Sequence, residues 1–157
     1  MIDEIDVEIL RLLQYDGHMT SAAIGENVGL TNSTVHERIK KLEKRGVIRG
    51  YTALIDAAAV GQPITAFVRL TTGTLTGATF RAAKESFTAF VKQHPNILEC
   101  HSVAGDDCYF LKVRVTSPQA LESLLEELRT NAYIDRSVCT VVLSTLKETL
   151  AIEPALP

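Results

Sequence analysis

Thr20 to Tyr51 reads TSAAIGENVGLTNSTVHERIKKLEKRGVIRGY, two short amphipathic stretches separated by a glycine. Thr20 suits the N-cap of a short helix with Ile24 and Val28 four residues apart on one face. Gly29 suits the left-handed residue that ends it. Thr31 then caps a second helix in which Val35, Ile39 and Leu42 recur at helical spacing, and Gly46 ends that helix with Val47 folding back onto the last turn. So short a connection forces a sharp angle between the helices. That is helix-turn-helix geometry, in which the second helix lies in the major groove of DNA and the first braces the backbone.

With Val35, Ile39 and Leu42 turned to the core, the opposite face of the second helix carries Ser33, His36, Glu37 and Lys40, with Asn32 and Thr34 at its start. Residues 32–50 hold six basic and two acidic side chains, a net charge of +4, whereas residues 1–30 hold one basic and six acidic, a net of −5. The chain as a whole is at −3, so positive charge is concentrated where DNA would sit. The expected DNA-contacting set is Asn32, Ser33, Thr34, His36, Glu37, Arg38, Lys40, Lys41, Arg45 and Arg49. Within it Arg38, Lys40, Lys41 and Arg49 are expected on phosphates, and Asn32, Ser33, Thr34 and His36 at base edges. The expected partner is double-stranded DNA.

The 157 residues suffice for one ordinary domain or two small ones. No apolar run approaches the roughly 18 residues of a membrane span, and the opening MIDEIDVEIL is acidic where a secretory signal is basic, so a cytoplasmic protein with no membrane partner is expected. Cys100, Cys108 and Cys139 are odd in number and lack C-x-x-C spacing, which argues for reduced thiols rather than a disulfide framework or zinc ribbon. No metal or cofactor is expected, and no enzymatic activity. A further helix runs through Ile5, Ile9, Leu12 and Leu13, capped by Asp3 and ending near Asp16 and Gly17. Residues 1–50 then form a three-helix (winged) helix-turn-helix domain. Arg49 to Asp56 reads as extended, Gly61 and Pro63 break the chain, and residues 51–63 make a linker.

Beyond the linker the elements fall in the order βαββαβ. Ile64 to Thr72 is a strand; Phe80, Phe87, Phe90 and Val91 mark a helix stopping by Pro95; and Ile97 to Ala104 is a second strand. Gly105, Asp106 and Asp107 turn the chain into a strand over Cys108 to Val115. Ser117 and Pro118 open a helix with Leu121, Leu124, Leu125 and Leu128, and Val138 to Leu146 is the last strand. The fold class is α+β, with residues 64–157 a ferredoxin-like domain whose two helices cover one face of an antiparallel sheet. Its strands are apolar on both parities (Ala66, Val68 and Leu70 against Phe67; Val138 and Val142 against Val141 and Leu143). The open face therefore calls for a second copy of the chain, a homodimer, which also suits paired DNA half-sites.

Four strings in this order, IDVEILRLLQYDG from Ile5, VGLTNSTVHERIKKLEKRGVIRGYTALID from Val28, ILECHSVAGDDCYFLKVRV from Ile97 and CTVVLSTLKET from Cys139, resemble the Lrp/AsnC family of leucine- and asparagine-responsive regulators. The resemblance covers essentially the whole chain. It implies a transcriptional regulator that forms dimers and higher homo-oligomers and responds to a small effector, commonly an amino acid. It places the effector at the turn Gly105, Asp106, Asp107, Cys108 and Tyr109. The usual family form is glycine, aspartate, an aromatic, aspartate, tyrosine, so Asp107 and Cys108 depart from it. Asp106 and Asp107 offer carboxylates to an α-ammonium group, and Gly105 lets backbone N–H groups approach a carboxylate. Lys147 and Thr149 resemble family positions near that site.

Other constellations are weaker. His36 and Glu37 begin an H-E-x-x-H motif, but Lys40 stands where the second histidine belongs. Cys100 and His101 alternate onto opposite faces of a strand and so do not converge with Cys108 and Cys139 on a metal. TTGTLTGAT, Thr71 to Thr79, lacks the lysine of a phosphate loop and reads as a mobile loop. Two alternatives share part of this pattern: an architectural DNA binder without effector, and a haem-biosynthesis decarboxylase of similar fold in which His101, Lys112 and Arg114 would meet a tetrapyrrole.

Overall fold

The computed structural model describes residues 2–74, 76–131 and 134–156. The chain divides into two compact units, Met1–Leu54 with Lys147–Pro157, and Ile55–Leu146. Residues 147–157, expected with the C-terminal domain, thus group with the N-terminal unit.

In the first unit α1 spans Glu4–Tyr15, α2 Ser21–Val28 and α3 Asn32–Lys44. Each begins at a side-chain cap. Asp3 accepts from the Asp6 N–H at 2.8 Å while Asp6 accepts from the Asp3 N–H, a reciprocal capping box. Thr20 and Thr31 cap α2 and α3 through their hydroxyls. The end of α3 closes with the Gly46 N–H on the Glu43 carbonyl and the Val47 N–H on the Leu42 carbonyl, both at 2.9 Å, the pair of bonds that defines a Schellman stop. Ile9, Ile24 and Val35, one from each helix, are fully buried and form the centre of the unit. Each contributes roughly 1.5–3 kcal/mol by leaving water.

Two glycines set the angle between α2 and α3. Gly29 at φ 69° occupies the left-handed region that a Cβ disfavours. Gly25 lies inside α2, where a Cβ would be driven into the Leu30 carbonyl oxygen, so the turn approaches the helix more closely than any side chain allows.

Residues 49–56 pair with no strand among the described residues, and Tyr51, Leu54 and Ile55 are exposed. The segment read as extended from Arg49 to Asp56 thus forms no strand among the described residues, since a strand needs a ladder partner.

The second unit contains β1 (Ile64–Thr72), α4 (Gly77–Gln93), β2 (Ile97–Ser102), β3 (Tyr109–Val115), α5 (Pro118–Asn131) and β4 (Ile134–Val141). The sheet order is β2-β3-β1-β4, all neighbours antiparallel, which is the ferredoxin-like arrangement. Ala66, Val68 and Leu70 of β1 and Tyr109, Leu111 and Val113 of β3 turn to the helix-covered face and pack with Phe87, Leu121, Leu124 and Leu128. The segment read as a loop over 71–79 is shorter than expected. Thr71 and Thr72 belong to β1, Gly77 starts α4, and Leu75 lies outside the described residues.

The last strand begins and ends earlier than its composition suggests. Val141 pairs with Ala66, and the Val142 N–H reaches the Thr65 carbonyl at 2.9 Å. No pairing follows that bond among the described residues, and Leu143 and Leu146 stand almost fully exposed.

The open sheet face is more mixed than alternation implied. Phe67 and Phe110 are exposed there, 45% and 38%. They are interleaved with Arg69 and Lys112, since Phe67 pairs with Lys112 and Arg69 with Phe110.

Candidate nucleic-acid interface and ligand turn

On α3 the residues facing away from Val35 and Leu42 are Ser33, Glu37, Lys40 and Lys44, spaced four, three and four apart and all exposed. Asn32, Thr34, His36, Lys41, Arg45 and Arg49 lie beside this row. Asn32, His36, Glu37, Lys40, Lys41, Lys44 and Arg49 make no side-chain hydrogen bond or ion pair among the described residues. Lys44 enters the sequence reading only as charge, although its spacing from Lys40 already places it on the same face. At the start of the helix the Thr31 hydroxyl lies 3.1 Å from that of Ser33 and 2.9 Å from that of Thr34, so the cap draws two base-reading candidates together. The N-terminus of α3 adds positive potential for a phosphate placed near it.

Arg38 is placed differently from the expectation. Its Nη1 donates to Asp3 Oδ2 and to Asp6 Oδ1, each at 2.7 Å, and the side chain is only 26% exposed. The hydrogen bond from Arg38, above all, holds the Asp3 carboxyl below its ordinary range, and the reciprocal bond raises Arg38. A guanidinium shared by two carboxylates braces α3 against the start of α1. Periodicity cannot reveal this, because the partners lie far back in the chain.

The turn at residues 105–109 brings its residues together unequally. Gly105 has φ 146°. The Val103 N–H donates to the Cys108 carbonyl at 3.0 Å, and the Cys108 N–H donates to the Leu70 carbonyl at 2.8 Å, which fixes the turn to β1. Asp107 is largely covered and lies 3.3 Å from Arg69, while Asp106 is exposed and has no side-chain partner among the described residues. Tyr109 points into the core, its ring 4.7 Å from that of Phe87 and tilted by 53°, so it shapes the turn from beneath. The Cys108 thiol lies 3.3 Å from the Thr72 hydroxyl.

The remaining polar groups are largely engaged with one another. His101 Nε2 and Lys112 Nζ lie 3.4 and 3.7 Å from Glu99, and Arg114 donates to the Thr65 hydroxyl at 3.1 Å. The three cysteines are free thiols packed against the core, and burial pushes those of Cys100 and Cys139 up. Lys147 and Thr149 belong with the N-terminal unit, where the Thr149 hydroxyl accepts from the Ala151 N–H at 3.1 Å. No helix among the described residues is long and apolar enough to cross a membrane.

A capped three-helix unit with an unpaired basic row, followed by a ferredoxin-like unit with a fixed acidic turn, defines a helix-turn-helix regulator joined to a ligand-binding domain. Residues 2–49 match the winged helix-turn-helix DNA-binding family and residues 65–152 the Lrp/AsnC ligand binding domain. The chain belongs to the Lrp/AsnC family of transcriptional regulators. It is 37% identical to the transcriptional regulator LrpA of Mycobacterium tuberculosis over 92% of this chain and 91% of the relative. It is also 37% identical to the leucine-responsive regulatory protein of Salmonella typhimurium over 80% of this chain and 74% of the relative. Among solved structures it is similar to the feast or famine regulatory protein of M. tuberculosis complexed with L-methionine, with TM-score 0.87, 35% identity and coverage of 98% and 100% of the two chains. A transcriptional regulator of Neisseria meningitidis in complex with L-methionine matches with TM-score 0.87 and 27% identity, over 97% of this chain and 96% of that one.

Proposed function

We propose that this regulator reads double-stranded DNA with the outward row of α3 and that an amino acid bound at residues 105–109 changes its DNA binding or assembly. The observation that carries the reading is that row: Ser33, Glu37, Lys40 and Lys44 in register and exposed, on a helix clamped from behind by Arg38. Lys40, Lys41, Lys44 and Arg49 supply phosphate contacts, with Arg45 beside them. Asn32, Ser33, Thr34, His36 and Glu37 meet base edges.

At the turn, Asp106 is the carboxylate that accepts an α-ammonium group, and Asp107 serves by holding Arg69 in place. The methionine complexes of the two relatives support an amino acid as the ligand class. The open sheet face, with Phe67 and Phe110 exposed, supports pairing with a second copy in a homodimer that assembles further, and two copies present two recognition helices to paired half-sites. The protein works in the cytoplasm and has no enzymatic role.

Fluorescence anisotropy on DNA from just upstream of the protein's own gene, with and without pooled amino acids, tests this. Salt-sensitive binding that the pool shifts is the expected result. Failure to bind that DNA more tightly than an unrelated fragment would overturn it.

A further inference from the structure

The residues after β4 have a role that neither the recognition row nor the ligand turn uses. They group with the N-terminal unit, and separate contacts hold them to α1. Gln14 reads the backbone of Ile152 in both directions: its Nε2 donates to the Ile152 carbonyl at 2.9 Å and its Oε1 accepts the Ile152 N–H at 2.7 Å. Arg11, one turn earlier on the same face of α1, grips Glu153 through Nε at 2.7 Å and through Nη2. Leu150, Ile152 and Pro154 line one side of a groove whose other side is Leu10 and Leu13 of α1 with Val47 beyond α3. Satisfying both backbone groups of one residue from one side chain fixes position and direction together.

The seat is shallow. Leu150 and Ile152 remain 69% and 76% exposed, so the segment is clipped to the surface rather than immersed in the core. Contacts of this kind open at low free-energy cost. The chain enters the C-terminal unit at Ile55 and leaves it at Leu146, which gives the two units two covalent links. The second link follows β4 after residues 142–146. That strand pairs with β1, and β1 carries both Arg69, which holds Asp107, and Leu70, whose carbonyl accepts from Cys108. At the other end α1 carries Asp3 as its cap and Asp6 in its first turn, the two carboxylates that hold Arg38 of α3. The path from the turn at 105–109 to the recognition helix therefore runs through β1, β4, residues 142–146, of which Leu143 and Leu146 are exposed, and the terminal segment on α1.

We infer that residues 147–156 form a releasable strap on α1, through which occupancy of the turn at 105–109 changes how the recognition helix is held. The inference rests on reading that turn as the effector site and α3 as the DNA reader.

Hydrogen exchange on the full chain, without DNA or effector, tests the strap itself. The Ile152 amide exchanges slowly in the wild type and at least about tenfold faster in Gln14→Ala. Glu153→Ala, altered on the exposed strap where α1 is untouched, loosens the same amide. Anisotropy with pooled amino acids then tests the coupling. In both variants the pool-induced shift in DNA affinity shrinks by at least about threefold, while affinity without the pool stays within about twofold of wild type. An Ile152 amide already exchanging at the rate of free chain in the wild type overturns the strap. A pool-induced shift of wild-type size in variants whose strap is released overturns the coupling alone. A wild type that binds DNA but ignores the pool overturns the effector reading and the coupling built on it.

Discussion

Arg38 Nη1 lies 2.7 Å from Asp6 Oδ1, joining the middle of the recognition helix to the first turn of α1. The same nitrogen holds Asp3 at the same distance, so one guanidinium stabilises a helix cap and sets the seat of α3 at once. Asp6 is buried, with 7% exposure, and Arg38 is what compensates its charge.

Arg38→Ala is therefore expected to cost roughly 1–2 kcal/mol of stability, because it strands a buried carboxylate. The salt dependence of DNA binding by the folded fraction should stay at the wild-type slope. Denaturant unfolding together with anisotropy at several salt concentrations separates the two effects, and a flattened slope would return Arg38 to the phosphate-contacting set.

Lys40→Ala and Lys44→Ala should behave in the opposite way. Each side chain is exposed and has no partner among the described residues, so folding is nearly unaffected. The slope of log K against log salt falls by about 0.9 for each phosphate that is no longer neutralised. Ser33→Ala should instead alter preference among DNA sequences, read by competition between operator variants.

Gly25→Ala would drive a methyl group into the Leu30 carbonyl, which is backbone and cannot rotate away. The expected loss is about 1–3 kcal/mol, even though alanine is the better helix former. A variant as stable as the wild type in urea would show that the α2–α3 turn relaxes more freely than its geometry suggests.

Acid should weaken the α1–α3 brace in a defined direction. The carboxyl of Asp3 titrates below its ordinary value of 3.8, chiefly through its hydrogen bond with Arg38. A depressed folded-state pKa contributes stability above the unfolded value that is lost as pH falls through the folded one. Asp3→Asn keeps the cap but removes the charge. Its deficit against the wild type should be constant above about pH 5 and close as the pH drops below 3.8. Unfolding curves across that range, repeated at high salt where the exposed link is screened, give the comparison.

The two carboxylates of the ligand turn should separate by phenotype. Asp106→Asn is expected to abolish the amino-acid response with stability unchanged, since Asp106 is exposed and has no side-chain partner among the described residues. Asp107→Asn breaks the link to Arg69 and should weaken the response only in part, with a small loss of thermal stability. Calorimetric titration with single amino acids distinguishes them, and equal losses would mean that both side chains touch the ligand.

What the sequence made legible was local. Thr20, Thr31 and Asp3 announce their helices because a cap acts within one turn, and the strand over Ile64 to Thr72 follows from its β-branched alternation. Interactions far apart in sequence were not legible. Nothing near Arg38 marks its bond to Asp3, and nothing in the apolar run around Val141 shows that the ladder with β1 stops there. Gly25 sits in mid-helix, where its absent side chain looks like a lapse until the Leu30 carbonyl is placed beside it. At residues 105–109 the resemblance pointed to the turn, but the different surroundings of Asp106 and Asp107 depend on Arg69, which a different strand supplies.

The membership of residues 147–157 in the N-terminal unit also fixes an order of manufacture. On the ribosome the three helices emerge first, yet Gln14 and Arg11 wait for Ile152 and Glu153 until the whole intervening domain has been synthesised. A chain whose synthesis stops before Ile152 thus carries the recognition helix, and its link at residues 54–55, without the contacts that Ile152 and Glu153 make on α1.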